Sequence, residues 1–264
     1  MEELIAQYTG ADEDSRLTRQ YIAQLEYDTT MHALAKYLKP GNKVCELGAA
    51  TGRYSLKFAD MGCDVTAVEL APEQVDIFAE KAADQNLKVK LFQGNACSVP
   101  FIEDSSQDLC VILGPLYHLQ SIEERNQVMQ EAKRILKPGG SVAIAYISRY
   151  FVAGLFAQKF PELITPQVMS KLLETGLVSD PKADSFFRVG YFSSPSEIEQ
   201  LIRENGFNPL RHLATDGFSR YIATGVNQFT PKQYNTWLQS HLKTCDEPSL
   251  LGSSNHGLVI AELV

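Results

Sequence analysis

Apolar positions change their spacing along the chain, and each change marks an element. Over residues 12–38 they recur at helical intervals: Leu17, Tyr21 and Leu25 share one face, as do Met31, Leu34 and Leu38. Asp12, Asp14 or Ser15 is placed to cap that helix, Asp28-Thr29-Thr30 to break it by recapping, and Pro40-Gly41 to stop it. From Lys43 the spacing shortens. Lys43–Leu47 is a short apolar run, followed by a glycine-containing turn and helical spacing over 54–60. Residues 64–70 read as strand, 72 to about 85 as a helix with Pro72 in its first turn, and 89–92 as strand. The continuous β-branched run 109–113 has the pattern of a strand buried on both faces. Ser121-Ile122-Glu123-Glu124 reads as a capping box opening a helix that ends at Leu136, before Lys137-Pro138-Gly139-Gly140. Residues 141–147 form the next buried strand.

Residues 41–148 therefore alternate strand and helix, which predicts an α/β fold: a doubly wound, Rossmann-like, mostly parallel sheet with helices on both faces. The last third is less regular. Ser194-Pro195-Ser196-Glu197 is a second capping box, opening a helix to Asn205 with Gly206 as its stop. Residues 210–214 read as strand, Thr230-Pro231-Lys232-Gln233 starts a helix carrying Trp237, Leu238 and Leu242, and 258–263 is a final strand. Two stretches, about 149–193 and 217–253, interrupt the scheme and are expected to form a lid over one end of the sheet. The division expected is an N-terminal helical cap (1–40), a ligand-binding core (41–148) and a C-terminal completion of the sheet (149–264).

Composition adds limits. The chain has 264 residues, 44% hydrophobic and 21% charged, which is globular and excludes global disorder. A net charge of −8 and no Lys/Arg run longer than two argue against a nucleic-acid surface. The cysteines, Cys45, Cys63, Cys97, Cys110 and Cys245, are odd in number and show no C-x-x-C spacing, so they read as reduced packing residues. Met1-Glu2-Glu3-Leu4 lacks the basic start of a signal peptide, and no apolar run approaches the roughly 20 residues that span a bilayer. A cytoplasmic monomer or homodimer is expected, without membrane or nucleic-acid partner.

The chemistry centres on Glu46-Leu47-Gly48-Ala49-Ala50-Thr51-Gly52, between the first sheet strand and the next helix. Ligands of open α/β sheets bind outside the carboxyl ends of strands, where strand order reverses. Two glycines allow a tight turn and close backbone approach, and the helix start offers free N–H groups. The dinucleotide pattern G-x-G-x-x-G is not met, because Glu46 stands where its first glycine belongs. A carboxylate there repels a pyrophosphate and suits an ammonium group, which favours an amino-acid-bearing nucleoside over NAD. Glu69 ends the second strand about 20 residues on, where a carboxylate accepts both hydroxyls of a ribose. Asn95, after the third strand, can pair with an adenine edge.

These pieces resemble the class I S-adenosylmethionine-dependent methyltransferases. The match runs through E-L-G-A-A-T-G at 46–52, V-T-A-V-E-L at 65–70, G-N-A at 94–96 with V-P-F at 99–101, D-L-C-V-I-L-G at 108–114 and I-L-K-P-G-G at 135–140. Its wording is similar to the ubiquinone/menaquinone-type small-molecule methyltransferases. The resemblance implies a seven-stranded sheet and S-adenosyl-L-methionine as cofactor, with S-adenosyl-L-homocysteine as product. It also implies that Gly48, Ala50, Thr51 and Gly52 surround the methionine moiety, with Glu46 near its ammonium. Glu69 takes the ribose, Leu70 packs on adenine, Asn95 faces the adenine amino group beside Ala96, and Leu113 and Gly114 lie by the sulfur. Asn95 stands where aspartate is usual, which weakens that contact by about 1 kcal/mol.

His118 and Tyr117 follow the fourth strand, where acceptors meet the methyl group in this fold, and are the catalytic candidates. The alternative for His118 is packing or capping of the next helix. Tyr8, Tyr21 and Tyr27 are expected to pack in the core, and Arg53 to be exposed or salt-bridged. Trp237, Phe186, Phe187, Tyr191 and Phe192 line an apolar acceptor pocket or pack a lid. No D/N-P-P-Y/F segment follows the fourth strand and no Asp/His cluster suggests a metal. The function expected is methyl transfer to a small-molecule acceptor. The alternatives are a methyltransferase acting on protein or RNA, and a non-catalytic S-adenosylmethionine-binding protein.

Overall fold

The computed structural model describes residues 2–10, 13–178 and 190–264. Its strands are β1 (Lys43–Leu47), β2 (Asp64–Glu69), β3 (Val89–Gln93), β4 (Gln107–Ile112), β5 (Leu136–Ile147), β6 (Phe207–Ala214) and β7 (His256–Leu263). The helices are α1 (Glu2–Tyr8), α2 (Tyr21–Leu34), α3 (Arg53–Asp60), α4 (Pro72–Asp84), α5 (Ile122–Ile135), α6 (Arg149–Lys159), α7 (Pro166–Thr175), α8 (Pro195–Glu204), α9 (Ala223–Val226), α10 (Pro231–His241) and α11 (Pro248–Leu251). The strands form one seven-stranded sheet in the order β3-β2-β1-β4-β5-β7-β6. β1 to β5 are parallel, and β7 is antiparallel to both of its neighbours. This is the Rossmann-like α/β fold that the alternation predicts.

Period-two alternation explains the core. Cys45 and Leu47 of β1 and Cys110 and Ile112 of β4 point to one face, under Val128, Met129 and Ala132 of α5 and Ile198, Leu201 and Ile202 of α8. Val44, Leu109 and Val111 point to the other, against Ala33 and Leu34 of α2 and Tyr54 and Phe58 of α3. Each such fully buried aliphatic side chain contributes about 1.5–3 kcal/mol. The five cysteines are free thiols, four of them buried.

The order of strands fixes where ligands bind. The chain leaves β1 toward β2 and β3 on one side, then crosses to β4 and β5 on the other. The loops after β1 and β4 thus diverge to opposite faces and leave a crevice at the carboxyl end. Because β7 runs backward, its first residue, His256, pairs with Ile147 at the end of β5 and stands at that same end.

Several sequence expectations are corrected. The helix of 12–38 is shorter: residues 13–20 are turns and bends, and α2 starts at Tyr21 with Gln20 as its uncapped N-cap. Asp14 instead accepts from Thr51 Oγ1 and Lys81 Nζ, and Asp12 lies outside the described residues. Asp28-Thr29-Thr30 does not break α2. Thr29 and Thr30 are buried within it, and Asp28 accepts from the Tyr234 hydroxyl. Ser121 caps α5 by accepting from Glu123 and Glu124 N–H groups, but its own hydroxyl donates to Glu123, so the reciprocal half of a capping box is missing. The boxes at Ser194 and Thr230 are complete. β5 starts earlier than expected, at Leu136, which pairs with Gln107 of β4; Lys137-Pro138-Gly139-Gly140 then bulges out, with Gly139 at φ +72°, before the continuous ladder over 141–147. The stretches 149–193 and 217–253 are largely helical where described, not loop. Phe186 and Phe187 lie outside the described residues.

One close approach in the sheet is exacting. Gly257 faces Tyr146 across β5 and β7, and a Cβ on it would fall 2.2 Å from the Tyr146 ring. That ring is pinned by a 2.8 Å hydrogen bond to His212, itself held by Glu199. Gly257→Ala is expected to lower stability by about 1–3 kcal/mol through overpacking, measured as the shift in urea midpoint.

Candidate functional site

A cavity of about 520 Å³ opens at the carboxyl end of the sheet, between the loops after β1, β2, β3 and β4. Its floor is the turn after β1. Gly48 and Ala49 N–H groups both donate to Val68 O, at 2.8 and 3.0 Å, tying this turn to β2. Gly48 has φ +78°, and a Cβ there would sit 2.6 Å from Pro115 after β4. The missing side chain therefore lets the two diverging loops touch. Gly52, φ +79°, meets the Phe78 ring of α4 in the same way, at 2.5 Å. Ala50 is held at φ +46°, and its N–H donates to Glu69 Oε2 at 2.8 Å. The N-terminus of α3 follows with no side-chain cap.

Two carboxyls line this floor. Glu69 bridges loops, accepting from Ala50 through one oxygen and from Ala71 N–H through the other, at 2.8 Å each. Burial raises its pKa against the pull of these N–H groups. Each oxygen keeps a further acceptor position for hydroxyls in the cavity. Glu46 is 2% exposed and accepts from the Ser55 hydroxyl of α3. Burial pushes its carboxyl up to about 8, against the Ser55 hydrogen bond, so it is neutral at pH 7 until a cation joins it.

The other candidates fall around the same space. Ala50, Thr51, Leu70, Asn95, Ala96 and Leu113 line the cavity, as do Gly48, Glu46 and Glu69. Gly52 does not; it stands behind the wall against Phe78. Asn95 Oδ1 accepts from Cys97 N–H at 3.0 Å, which shapes its own turn. Arg53 makes no salt bridge among the described residues; it lines the cavity and donates to Asp14 O at 2.7 Å.

His118 and Tyr117 line the opposite wall, both buried. The Tyr8 hydroxyl of α1 meets His118 Nε2 at 2.5 Å, so α1 closes over this wall. Burial holds the Tyr117 phenol well above its usual range, and it stays protonated. From the helical stretches, Phe151, Leu155 and Lys159 of α6, with Phe192 and Ala223, complete an apolar chamber. Trp237 lies apart, donating to Ser219 and packing on Phe218 and Phe229, and Tyr191 stacks on Arg125.

Sequence reasoning missed a buried charge network at the chamber's edge. Glu26 of α2 contacts His256 Nδ1 at 3.0 Å, Arg220 at 2.9 Å and Arg16 at 3.5 Å. Asp216 takes Arg220 Nε at 2.8 Å and lies 3.7 Å from His256. These residues are spread from position 16 to 256, so no local motif announces them. Glu26, Asp216 and His256 bring ligand atoms within 4.8 Å of one another, as at a metal centre. Yet Arg220 bonds both carboxylates and supplies the positive charge an ion would bring.

Burial alone would raise the pKa of Glu26, but His256, Arg16 and Arg220 hold it far below the usual range; His256 and Arg220 lower that of Asp216 likewise. Burial lowers that of His256, but Glu26 and Asp216 outweigh it and the net shift is upward. The carboxylates therefore stabilise above their ordinary value, near 4.5 for Glu26, and that contribution is lost as pH falls. His256 stabilises below 6.5, and its contribution is lost as pH rises through its raised pKa. The melting-temperature gap between wild type and Glu26→Gln is expected to be widest between pH 4.5 and 6.5 and to narrow on either side, read by thermal scans against pH.

Residues 44–140 match the methyltransferase domain family. A demethylmenaquinone methyltransferase of Paenarthrobacter aurescens is 30% identical over 182 residues, covering 68% of this chain and 68% of that protein. The sterol 4-C-methyltransferase of Caenorhabditis elegans is 33% identical over 101 residues, which span 38% of this chain but only 29% of that relative. A SAM-dependent methyltransferase of Methanosarcina mazei shares the fold, with a TM-score of 0.60 at 18% identity over 88% of this chain and 97% of that one. With the glycine turn, the acidic strand end and the reversed strand order all in one crevice, the chain belongs to the class I S-adenosylmethionine-dependent methyltransferases.

Proposed function

We propose that the protein methylates a small, largely apolar molecule. The observation that carries this reading is the continuity of one cavity, from Glu69 and Asn95 at the nucleoside side to the chamber of Ile147, Phe151, Leu155 and Phe192. A volume of about 520 Å³ is in the range of small-molecule sites. Two relatives named for a quinone and a sterol acceptor support the same class.

The residues fit the cofactor. Glu69 retains acceptor positions for the two ribose hydroxyls, and Glu46 lies where an ammonium would turn it into a carboxylate. Asn95 faces the adenine amino group, its Oδ1 accepting from Cys97 N–H and keeping a second lone pair. Leu70 and Ala96 give apolar contact to the base, while Gly48, Ala50 and Thr51 hold the methionine part and Gly52 keeps the turn closed against Phe78. The bound cofactor supplies a methyl group already activated on a sulfonium. The task left to the chain is positioning. Leu113 and Gly114 border the sulfur, and Tyr117 and His118 line the acceptor side and exclude water.

Three outcomes test this. Labelled S-adenosylmethionine is expected to pass its methyl group into the small-molecule fraction of a cell extract; label in the protein or RNA fraction instead overturns the reading. Glu69→Ala is expected to weaken S-adenosylhomocysteine binding by about 1.5–3 kcal/mol, seen in titration calorimetry. Glu46 is protonated below about 8 and ionises beside the ligand ammonium, so binding releases a proton. Affinity should rise with pH up to about 8 and level off above it, and the heat at pH 7 should depend on the buffer's ionisation enthalpy.

A further inference from the structure

His256 lines the acceptor chamber and has no role in the reaction so far. It stands at the carboxyl end of the sheet, two strands from β4, with its ring 6.1 Å from that of Tyr117. Its Nδ1 lies 3.0 Å from Glu26 Oε2 and 3.7 Å from Asp216 Oδ2. The carboxylate behind it is itself fixed: Asp216 Oδ1 accepts from the Ser254 hydroxyl at 2.7 Å and Asn255 N–H at 2.8 Å. The Asn255 side-chain amide also meets Nδ1, at 3.0 Å; among the described residues no group bonds Nε2, and the residue lines the cavity. A histidine with one nitrogen on carboxylates and the other facing a substrate chamber is the arrangement of a general base.

The charged and titratable groups facing it are Glu26 on α2, Arg16 and Glu13 before α2, Asp216 and Arg220 after β6, and Tyr117 after β4. Arg16 and Arg220 offset the two carboxylates without contacting the ring nitrogens. The rival groups are less suited: His118 Nε2 already meets the Tyr8 hydroxyl, and the Tyr117 phenol stays protonated.

We propose that His256 is the general base of methyl transfer, with Glu26 and Asp216 as its positioning residues. The inference rests on the small-molecule reading above. Nε2 takes the proton of an acceptor hydroxyl or of a protonated primary or secondary amine. The lone pair so freed bonds the methyl carbon as the carbon–sulfur bond breaks, leaving its electrons on sulfur. Glu26 and Asp216 stabilise the imidazolium, which later gives its proton to water. For an acceptor methylated on carbon, Nε2 takes the proton of the hydroxyl that activates the ring or double bond, and the proton lost from carbon goes to water. The acceptor class that follows is a phenol, enol, hydroquinone or amine on an apolar body. A thioether or tertiary amine, with no proton to lose, gains nothing from this base.

The test uses the full chain, labelled S-adenosylmethionine and the deproteinised small-molecule fraction of a cell extract. At S-adenosylmethionine concentrations that saturate the enzyme at every pH, which removes the Glu46 dependence of binding, wild-type transfer is expected to rise with pH through one titration above the ordinary imidazole value. His256→Gln and His256→Asn should lose that limb and slow by about 100-fold or more, while S-adenosylhomocysteine still raises their melting temperature as in wild type. Variants with wild-type rate and pH profile overturn the role of His256 and leave the methyltransferase reading intact. Absence of labelled small molecules with wild type overturns both. Independently, ring-proton NMR should show the His256 midpoint falling in Glu26→Gln; an unmoved midpoint overturns the carboxylate–histidine pairing.

Discussion

The pairing of β1 with β4 is the constraint on which the rest of the molecule depends. These strands are parallel neighbours from opposite halves of the chain's path, so their following loops leave in opposite directions. The crevice between them is unavoidable, and its width is set by how closely the two loops approach. Gly48 sets that approach, because Pro115 occupies the space a side chain would need. Glu69 then ties the turn after β1 to the end of β2 through the Ala50 and Ala71 N–H groups. One carboxylate thus shapes the floor and keeps lone pairs for a ligand.

The walls follow a different logic. The floor is made by short loops on rigid strands, while the opposite wall is made by segments distant in sequence: α1 through Tyr8, α2 through Glu26, α6 through Phe151, and the start of β7 through His256. A conserved type of cofactor chemistry on the floor and a variable acceptor on the walls is what this division permits, since walls can change without disturbing the sheet. The antiparallel run of β7 is what brings His256 into reach. A parallel seventh strand would present its last residues there instead.

The buried charges illustrate how environment sets role. Glu46 and Glu26 are both carboxyls with almost no exposure. Glu46 has hydrogen bonds from Ser55 but no cation beside it, and burial pushes it up to about 8. Glu26 has two guanidiniums and an imidazole and stays charged far into acid. A buried ion network of this kind is weak as a source of net stability, because desolvation opposes the attraction, but removing one partner leaves a stranded charge. It serves to lock α2, the Asp216–Arg220 turn and β7 into one arrangement.

Much of the fold was legible in the chain itself. Strand and helix periods, proline at helix starts and glycine at their ends depend on neighbours in sequence, so β1 to β4, α3 to α5, the capping box at Ser194 and the helix start at Thr230 could be read directly. The floor of the crevice was legible for the same reason: Glu46, Gly48 and Glu69 sit in or beside turns that are local, and they line one cavity. The start of α2 was misread because Asp14 serves Thr51 and Lys81 across the cavity, a partner choice no local pattern carries. Likewise, β5 starts at Leu136 because that one residue pairs with Gln107 of β4, a long-range contact, while Lys137-Pro138-Gly139-Gly140 bulges out before the ladder resumes at Ser141. The opposite wall was decided by tertiary structure alone. Tyr8 meets His118, and Glu26 and Asp216 meet His256, over separations that only the winding of the sheet brings together, because side-chain chemistry in sequence says what a residue can bond and only packing says to what.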